Sequence, residues 1–322
     1  MRAVVAVRAE PDDPLAALEI RDVPEPDPPA YWSVVEVRAA ALNHHDLWSL
    51  RGVGLPTELL PMVLGTDAAG VTADGQDVVV HAVIGANGHG VGPTERRSIL
   101  SERHPGTLAE RVAVPTWNLV PKPPELSFAE AACLPTAWLT AYSMLFRAAR
   151  LAPGDRVLVQ GAGGGVATAA VCLGAAAGLE VVVTSRDTAK RERALGLGAA
   201  VAVEPGARLP FRVDAVIETV GEATWAHSMR SVRPGGTVVV AGATSGAQPG
   251  ADLARVFFTE LTVVGVTVGS REDLVALLRF CARTGVRPVV DSTYPFDRVH
   301  EALARLASGS AFGKVVVTMG PS

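Results

Sequence analysis

Cysteine is scarce in this chain, and the three present, Cys133, Cys172 and Cys281, are far apart and odd in number. With no C-x-x-C pair, they exclude a disulfide framework and a cysteine zinc site, and they fit a reducing, cytoplasmic setting. Charge of one sign is also lacking. The formal net charge is -4 and charged residues make up 19% of the chain, so no nucleic-acid partner is expected. Short basic clusters such as Arg191 with Arg193, or Arg96-Arg97, read as solvated faces. Long hydrophobic runs are missing despite a mean hydropathy of +0.27. The most apolar stretch, GVATAAVCLGAAAGLEVVV (165–183), is rich in Gly and Ala and contains Glu180. A spanning helix needs about 20 mostly large apolar residues, so no membrane association is expected. The opening MRAVVAVRAEPDDP carries no secretion signal, and there is no internal repeat.

What is present is enough apolar material, 48% of 322 residues, for two moderate domains. Up to about residue 120, short β-branched runs (3–7, 33–39, 78–84, 110–115) are separated by Pro, Gly and Asp. That is the pattern of a small β-rich unit, with VPEPDPPA as a stiff connector. Beyond it, runs at 156–160, 180–185, 199–204, 213–220, 236–243 and 261–268 alternate with helical stretches. Near-continuous Val/Ile strands alternating with helices imply a parallel sheet covered on both faces. The fold class is therefore α/β. The tail ends in a helix and one more strand, which the first domain is expected to take back.

RVLVQGAGGGVATAAVCL runs strand, glycine turn, helix. Glycines let a backbone turn sharply against a pyrophosphate whose charge then sits on a helix N-terminus. Gly161, Gly163, Gly164, Gly165 and Val166 are the cofactor-binding candidates here, and Gly161-x-x-Gly164-x-x-Ala167 is the better-fitting spacing. The second strand ends in Ser185 and Arg186, with Lys190 one turn on. No acidic residue stands there to meet a ribose 2′-hydroxyl, so NADP(H) is favoured over NAD(H). Asp187 reads as a helix cap.

The strings ALNHHDLWSLRG, PMVLGTDAAG, GTLAERVAVP, LPTAWLTAYSML, GAGGGVATAA, ETVGEATW, AGATSG and FGKVVV together resemble the medium-chain dehydrogenase/reductase superfamily. The resemblance spans essentially the whole chain and is closest to the quinone oxidoreductase-like, zinc-independent branch. It implies a GroES-like catalytic domain, 1–121 completed by 288–322, and a Rossmann cofactor domain, 122–287, with the cofactor in the cleft between them. On the family's zinc pattern, Asn43 stands at the first Cys, Thr66-Asp67 at His-Glu and Thr136 at the last ligand position. The lobe for structural zinc is replaced by GANGHGVGPTE. Adjacent side chains such as His44 and His45 diverge, so the histidine pair in NHHD is not expected to hold a metal, and His81, His89 and His104 have no ligand spacing. His227 and His300 show no evident partners.

Without a metal, the chemistry implied is hydride transfer to a quinone or an α,β-unsaturated carbonyl, whose developing oxyanion fixed donors can stabilise. By resemblance, Asn43 and Asp46 line the substrate side, and Thr136 and Thr140 lie near the nicotinamide and its ribose. Asn43 is the candidate donor to a carbonyl, and His45 a candidate proton relay. Asp46 reads equally as a loop-ordering carboxylate, and Trp48 as a flat wall or as core. Gly221, Gly242, Ala243 and Thr244 should close the strands facing the cofactor, while Val268-Gly269 and Phe312-Gly313-Lys314 resemble segments at the nicotinamide end. Lys314 has a surface charge as its alternative. LTVVGVTV resembles the edge strand through which relatives form a homodimer. Two other functions stay open: an alcohol dehydrogenase with a degenerate site, and a catalytically silent NADPH-binding redox sensor.

Overall fold

A computed structural model describes residues 1–85 and 97–320. His89, Arg96 and the segment 86–95 that replaces the zinc lobe lie outside the described residues. The chain divides into two compact units: Met1–Ala137, Ser270–Arg283 and Arg287–Ser322 form the first, Trp138–Gly269 and Thr284–Val286 the second. Residues 122–137 and 270–283, assigned to the second domain on sequence, thus belong to the first unit. Arg271 shows the reason, because its guanidinium donates to the Trp117 and Leu119 carbonyls and lies over the Trp117 ring.

The first unit is built on antiparallel β-structure. Its longest strand, Trp32–Ala41, pairs with Asp67–Thr72 on one side and with Lys314–Thr318 on the other. The C-terminal strand therefore joins the sheet of the first unit. The register places Ala41 opposite both Asp67 and Val316, which gathers residues 43, 67 and 314 at one end of the sheet. The run 78–84 is not one strand. It breaks into Asp77–Val80 and Val83–Gly85, because the Asn118 amide donates to the His81 and Val83 carbonyls. Val35, Val37, Leu42, Leu50, Leu64 and Val315 contribute to a core that buries the inward face of this sheet.

The second unit carries six parallel strands, β1 (Arg156–Val159), β2 (Glu180–Thr184), β3 (Val201–Val203), β4 (Val213–Glu218), β5 (Val232–Val240) and β6 (Thr262–Gly265). Their spatial order is β3-β2-β1-β4-β5-β6, the order of the doubly wound dinucleotide-binding sheet. The inner strands are buried on both faces, which explains their unbroken Val/Ile character. The chain order reverses between β1 and β4, and this is where ligands meet such sheets. Among the described residues, no helix is long and apolar enough to cross a membrane.

Candidate active site

The strand ends of the first unit converge on a buried polar cluster. The Lys314 ammonium donates to the Leu42 carbonyl at 2.7 Å, to Asn43 Oδ1 at 2.6 Å and to Asp67 Oδ2 at 3.0 Å. The Asn43 amide donates in turn to Asp67 Oδ2 at 2.9 Å and Thr66 Oγ1 at 3.0 Å. Thr66 Oγ1 lies 3.1 Å from Thr136 Oγ1, which sits in a π-helical turn, Leu134–Trp138, and is only half-buried. Lys314, Asp67 and Thr66 are buried, and Asp67 Oδ1 has no hydrogen-bond partner among the described residues.

This geometry corrects the expectation for Asn43 and excludes the surface-charge alternative for Lys314. Asn43 cannot serve as the free donor to a carbonyl, because both of its N–H bonds are engaged inside the protein. Lys314 is not a surface charge, since it is 2% exposed and bound to residues of its own unit. Phe312 and Gly313 belong to the same unit for internal reasons. The Phe312 N–H donates to Asp291, and a Cβ on Gly313 would fall 2.2 Å from the Val289 carbonyl oxygen. Asp291 also grips Arg305. Burial pushes its carboxyl up, but Arg305, the Phe312 N–H and Ser292 override burial and bring it down to about 2.

Asp46 takes the structural alternative. It is the third residue of the helix His44–Leu50, and its carboxylate accepts the Asn43 N–H at 2.8 Å and the Gly65 N–H at 3.1 Å. It closes the start of that helix in capping-box fashion, and burial lifts its carboxyl above the usual range. His45 also has its ring nitrogens engaged, Nε2 with Glu102 at 3.1 Å and Nδ1 with the Ser101 hydroxyl at 3.3 Å. Trp48 is half-buried and packs on the core. His44 opens the helix one residue before His45 and shares neither of its partners, Glu102 and Ser101.

The positions do not fit a zinc ion. A catalytic zinc needs three nitrogen, sulfur or carboxylate ligands, and no such group of His, Cys, Asp or Glu exists among the described residues. Asp67, the one carboxylate at the family's ligand positions, is bound to an ammonium. Cys133, nearby in the same unit, is held as a thiol because burial pushes it up to about 12.

A dinucleotide does fit the second unit. Gly161 has φ +88°, a conformation that favours glycine, and its N–H is taken by Thr184 Oγ1 at 3.1 Å. Gly164 is exposed and caps the helix Gly165–Ala176, and a Cβ there would meet nothing within 4 Å. Gly165 and Val166 are partly exposed in its first turn, so the open N–H groups of a twelve-residue helix suit a pyrophosphate. Lys190 lies across Gly163, its Cδ 2.8 Å from where a Cβ would stand. Arg186 is exposed and Ser185 half-buried at the end of β2, while Asp187 accepts the Lys190 N–H as a cap. Gly221, with φ +92°, packs against Gly246 and Ala243; Gly242 packs on Thr219, whose carbonyl also receives Thr244. These residues close β4 and β5 together. Val268, at φ +56°, leads into Gly269, which packs on Leu139 and Ser143 on either side of Thr140.

Sequence reasoning missed the network beneath this loop. Glu218 is fully buried and accepts the Val220 and Gly221 N–H groups and the Thr224 and Ser228 hydroxyls. Gln160 links Ser228 and His227 to Thr184, and His227 Nε2 donates to the Ala207 carbonyl. Burial lowers the basicity of His227, which keeps it neutral, so it does have partners. The one signal in the sequence was an acidic residue ending an otherwise apolar strand. His300 is exposed.

Comparison with known proteins agrees with this architecture. Residues 29–124 match the alcohol dehydrogenase GroES-like domain and 197–317 the zinc-binding dehydrogenase family. A zinc-type alcohol dehydrogenase-like protein of Schizosaccharomyces pombe is 32% identical, covering 88% of this chain and 90% of its own. The 2-methylene-furan-3-one reductase of Solanum lycopersicum is 33% identical over 88% of this chain and 71% of its own. A crystal structure of an NAD-dependent alcohol dehydrogenase superposes with a TM-score of 0.89 at 33% identity, covering 99% of this chain and 100% of that one.

Proposed function

Because the chain belongs to the medium-chain dehydrogenase/reductase superfamily, we propose that this oxidoreductase is a metal-independent, NADPH-dependent reductase of quinones or α,β-unsaturated carbonyls. The observation that carries this is the cluster itself. The positions of the family's metal ligands, Asn43, Thr66-Asp67 and Thr136, are hydrogen-bonded to one another and held by Lys314. An alcohol must lose its proton to be oxidised, and this site offers no strong Lewis acid for that task. A conjugated acceptor needs only donors for an oxygen that gains charge, which hydroxyls in a dry site supply.

The reduced nicotinamide supplies the hydride when bound. The N-terminus of the helix Gly165–Ala176 neutralises its pyrophosphate, and Arg186 with Lys190 meets a 2′-phosphate. Thr136 replaces Asn43 as the group that receives the acceptor's oxygen. The likeness to a reductase of a conjugated furanone supports the substrate class. The NAD-dependent neighbour speaks for the other cofactor, against which stand the exposed Arg186 and the missing acidic residue at the end of β2.

The test is NADPH consumption against a panel of quinones and enones, with metal analysis of the same sample. Turnover that survives exhaustive chelation, with no oxidation of simple alcohols, is the expected result. Alcohol oxidation restored by added zinc would overturn it, and NADPH binding without turnover on any acceptor would favour the redox-sensing alternative.

Assembly as a homodimer through β6 belongs to the same proposal. Among the described residues this edge strand pairs only with β5 and exposes Val263, and the helix just before it, Leu253–Phe258, exposes Leu253, Phe257 and Phe258. Aromatics left open beside an unpaired edge call for cover. A monomeric mass by light scattering would refute it. The free cysteines fit a cytoplasmic location.

A further inference from the structure

We infer that His227 is a proton-operated control on the dinucleotide loop, acting through Gln160 and Thr184 on the Gly161 N–H. This rests on the cofactor role proposed above for that loop. Gln160 follows β1 and Glu218 ends β4, the two strands between which the chain order reverses, and His227 and Ser228 reach them from the helix Glu222–Ser231. Which groups can donate fixes the direction of every hydrogen bond here. Both Glu218 oxygens accept, and the Ser228 hydroxyl commits its proton to Oε2 at 2.6 Å. Ser228 Oγ can then only accept from Gln160, so the atom 3.0 Å away is Nε2, which sets the amide orientation. The second N–H of that amide points to His227 Nδ1, also at 3.0 Å, and Nδ1 must be bare to receive it. The ring proton therefore sits on Nε2, where the Ala207 carbonyl accepts it at 2.9 Å. On the other side of the amide, Oε1 accepts the Thr184 hydroxyl at 2.8 Å, and Thr184 Oγ1 accepts the Gly161 N–H at 3.1 Å. From the ring to the first glycine of the loop, each donor meets an acceptor.

A proton added to Nδ1 has no place in this arrangement, because it sets N–H against N–H at the Gln160 contact. Turning the amide over does not relieve the conflict. Oε1 would then face Ser228 Oγ, whose proton is held by Glu218, and the amide nitrogen would face Thr184, whose proton would lose its acceptor. The proton is accommodated only if Gln160 moves, and Thr184, the support of the Gly161 N–H, moves with it. Gly161 stands at φ +88° and has no side chain of its own to hold that turn.

Two charged groups act on the ring. Glu218 of β4 favours the added proton and Arg230 of the ring's own helix opposes it, while β1, β2 and the turn at Ala207 contribute only the neutral groups named above. Burial is the largest influence, and with Arg230 it holds the basicity of the ring below the ordinary histidine value. By linkage, a loop shaped for the dinucleotide holds off the proton, and the proton weakens dinucleotide binding by the same factor.

Two readouts test this, one of them independent of any nucleotide. In the first, protein labelled with nitrogen-15 in histidine and glycine is followed by NMR from about pH 7.5 to about 5. The His227 ring should carry its proton on Nε2 at the upper end and gain a second with a midpoint below 6.5. The Gly161 amide should move with the same midpoint. In Thr184→Val, which keeps the shape of the side chain but not its hydroxyl, His227 should still titrate and Gly161 should no longer follow it. In the second, the dissociation constant of NADPH is measured by nicotinamide fluorescence at the two ends of that range, in wild type and in His227→Gln. Titration of the 2′-phosphate itself is common to both proteins and drops out of the comparison. On acidification the constant should rise about threefold more in wild type, the effect of a histidine whose basicity falls by about one pH unit on binding. A Gly161 signal that ignores His227, or that still follows it in Thr184→Val, would overturn the inference, as would equal acid sensitivity of NADPH binding in wild type and His227→Gln. Absence of NADPH binding at every pH, with Gly161 still following His227, would sink only the cofactor role and leave the coupling in place.

Discussion

The two units each bury a polar network at the ends of their central strands, and the networks are built differently. In the second unit a single carboxylate, Glu218, gathers neutral donors, two of them backbone N–H groups of the loop that follows it. Through Ser228, Gln160 and Thr184 it reaches the Gly161 N–H. That network ends on backbone at both sides, so it fixes loop shape. In the first unit two formal charges face each other, and the network runs on to a half-buried hydroxyl. A network closed on backbone holds loop geometry, whereas one built on a buried ion pair fixes side chains of distant strands against one another. Burial makes both costly to break, because each unpaired group keeps its full desolvation penalty.

The sharpest way to break this comparison is Glu218→Ala. It strands four donors at once and should lower stability by about 3–5 kcal/mol, seen in denaturant unfolding, together with weaker NADPH binding. Turnover at saturating NADPH should stay near wild type. A marked fall in turnover would mean that this network does more than fix loop shape.

Asp291→Asn should have the next largest effect. Asp291 pins the turn that delivers Lys314, and its carboxyl lies at about 2 against an ordinary 3.8. Because the folded value is depressed, the stabilisation is complete above the unfolded value and is lost as pH falls toward the folded one. The variant should lose about 1–2 kcal/mol at neutral pH, and its acid-unfolding curve should be flatter than wild type between about pH 4 and 2. An unchanged curve would remove Asp291 from the account of how Lys314 is placed.

Gly163→Ala probes the cofactor side. The new Cβ would displace only the flexible end of Lys190, so folding should survive while NADPH affinity drops about tenfold, the loss of one charge-assisted contact. NADH affinity should hardly move. An equal loss for both nucleotides would mean that Lys190 does not meet a 2′-phosphate.

The smallest effect concerns His227, which burial keeps neutral in the folded state. Its basicity is lowered on folding, so its contribution is full above pH 6.5, its ordinary value, and is lost as pH falls below it. Protonation would turn Nδ1 into a second donor facing Gln160. Unfolding of His227→Gln should therefore show less pH dependence below that point than wild type.

The sequence alone determined the layered plan and the loop that meets a dinucleotide. Strand periodicity, glycine placement and the helix cap at Asp187 are local properties, set by backbone sterics and by neighbours only a few residues away. The lack of three metal ligands was legible for the same reason, since ligand chemistry is a matter of residue type. What each remaining side chain does was decided only when distant strands came together. Lys314 and Asn43 are 271 positions apart and became hydrogen-bond partners through the pairing of Lys314–Thr318 with Trp32–Ala41. That contact engaged the Asn43 amide and buried the Lys314 ammonium. Hydrogen-bond partners in a buried cluster depend on burial and register, and neither is written in the residues one at a time.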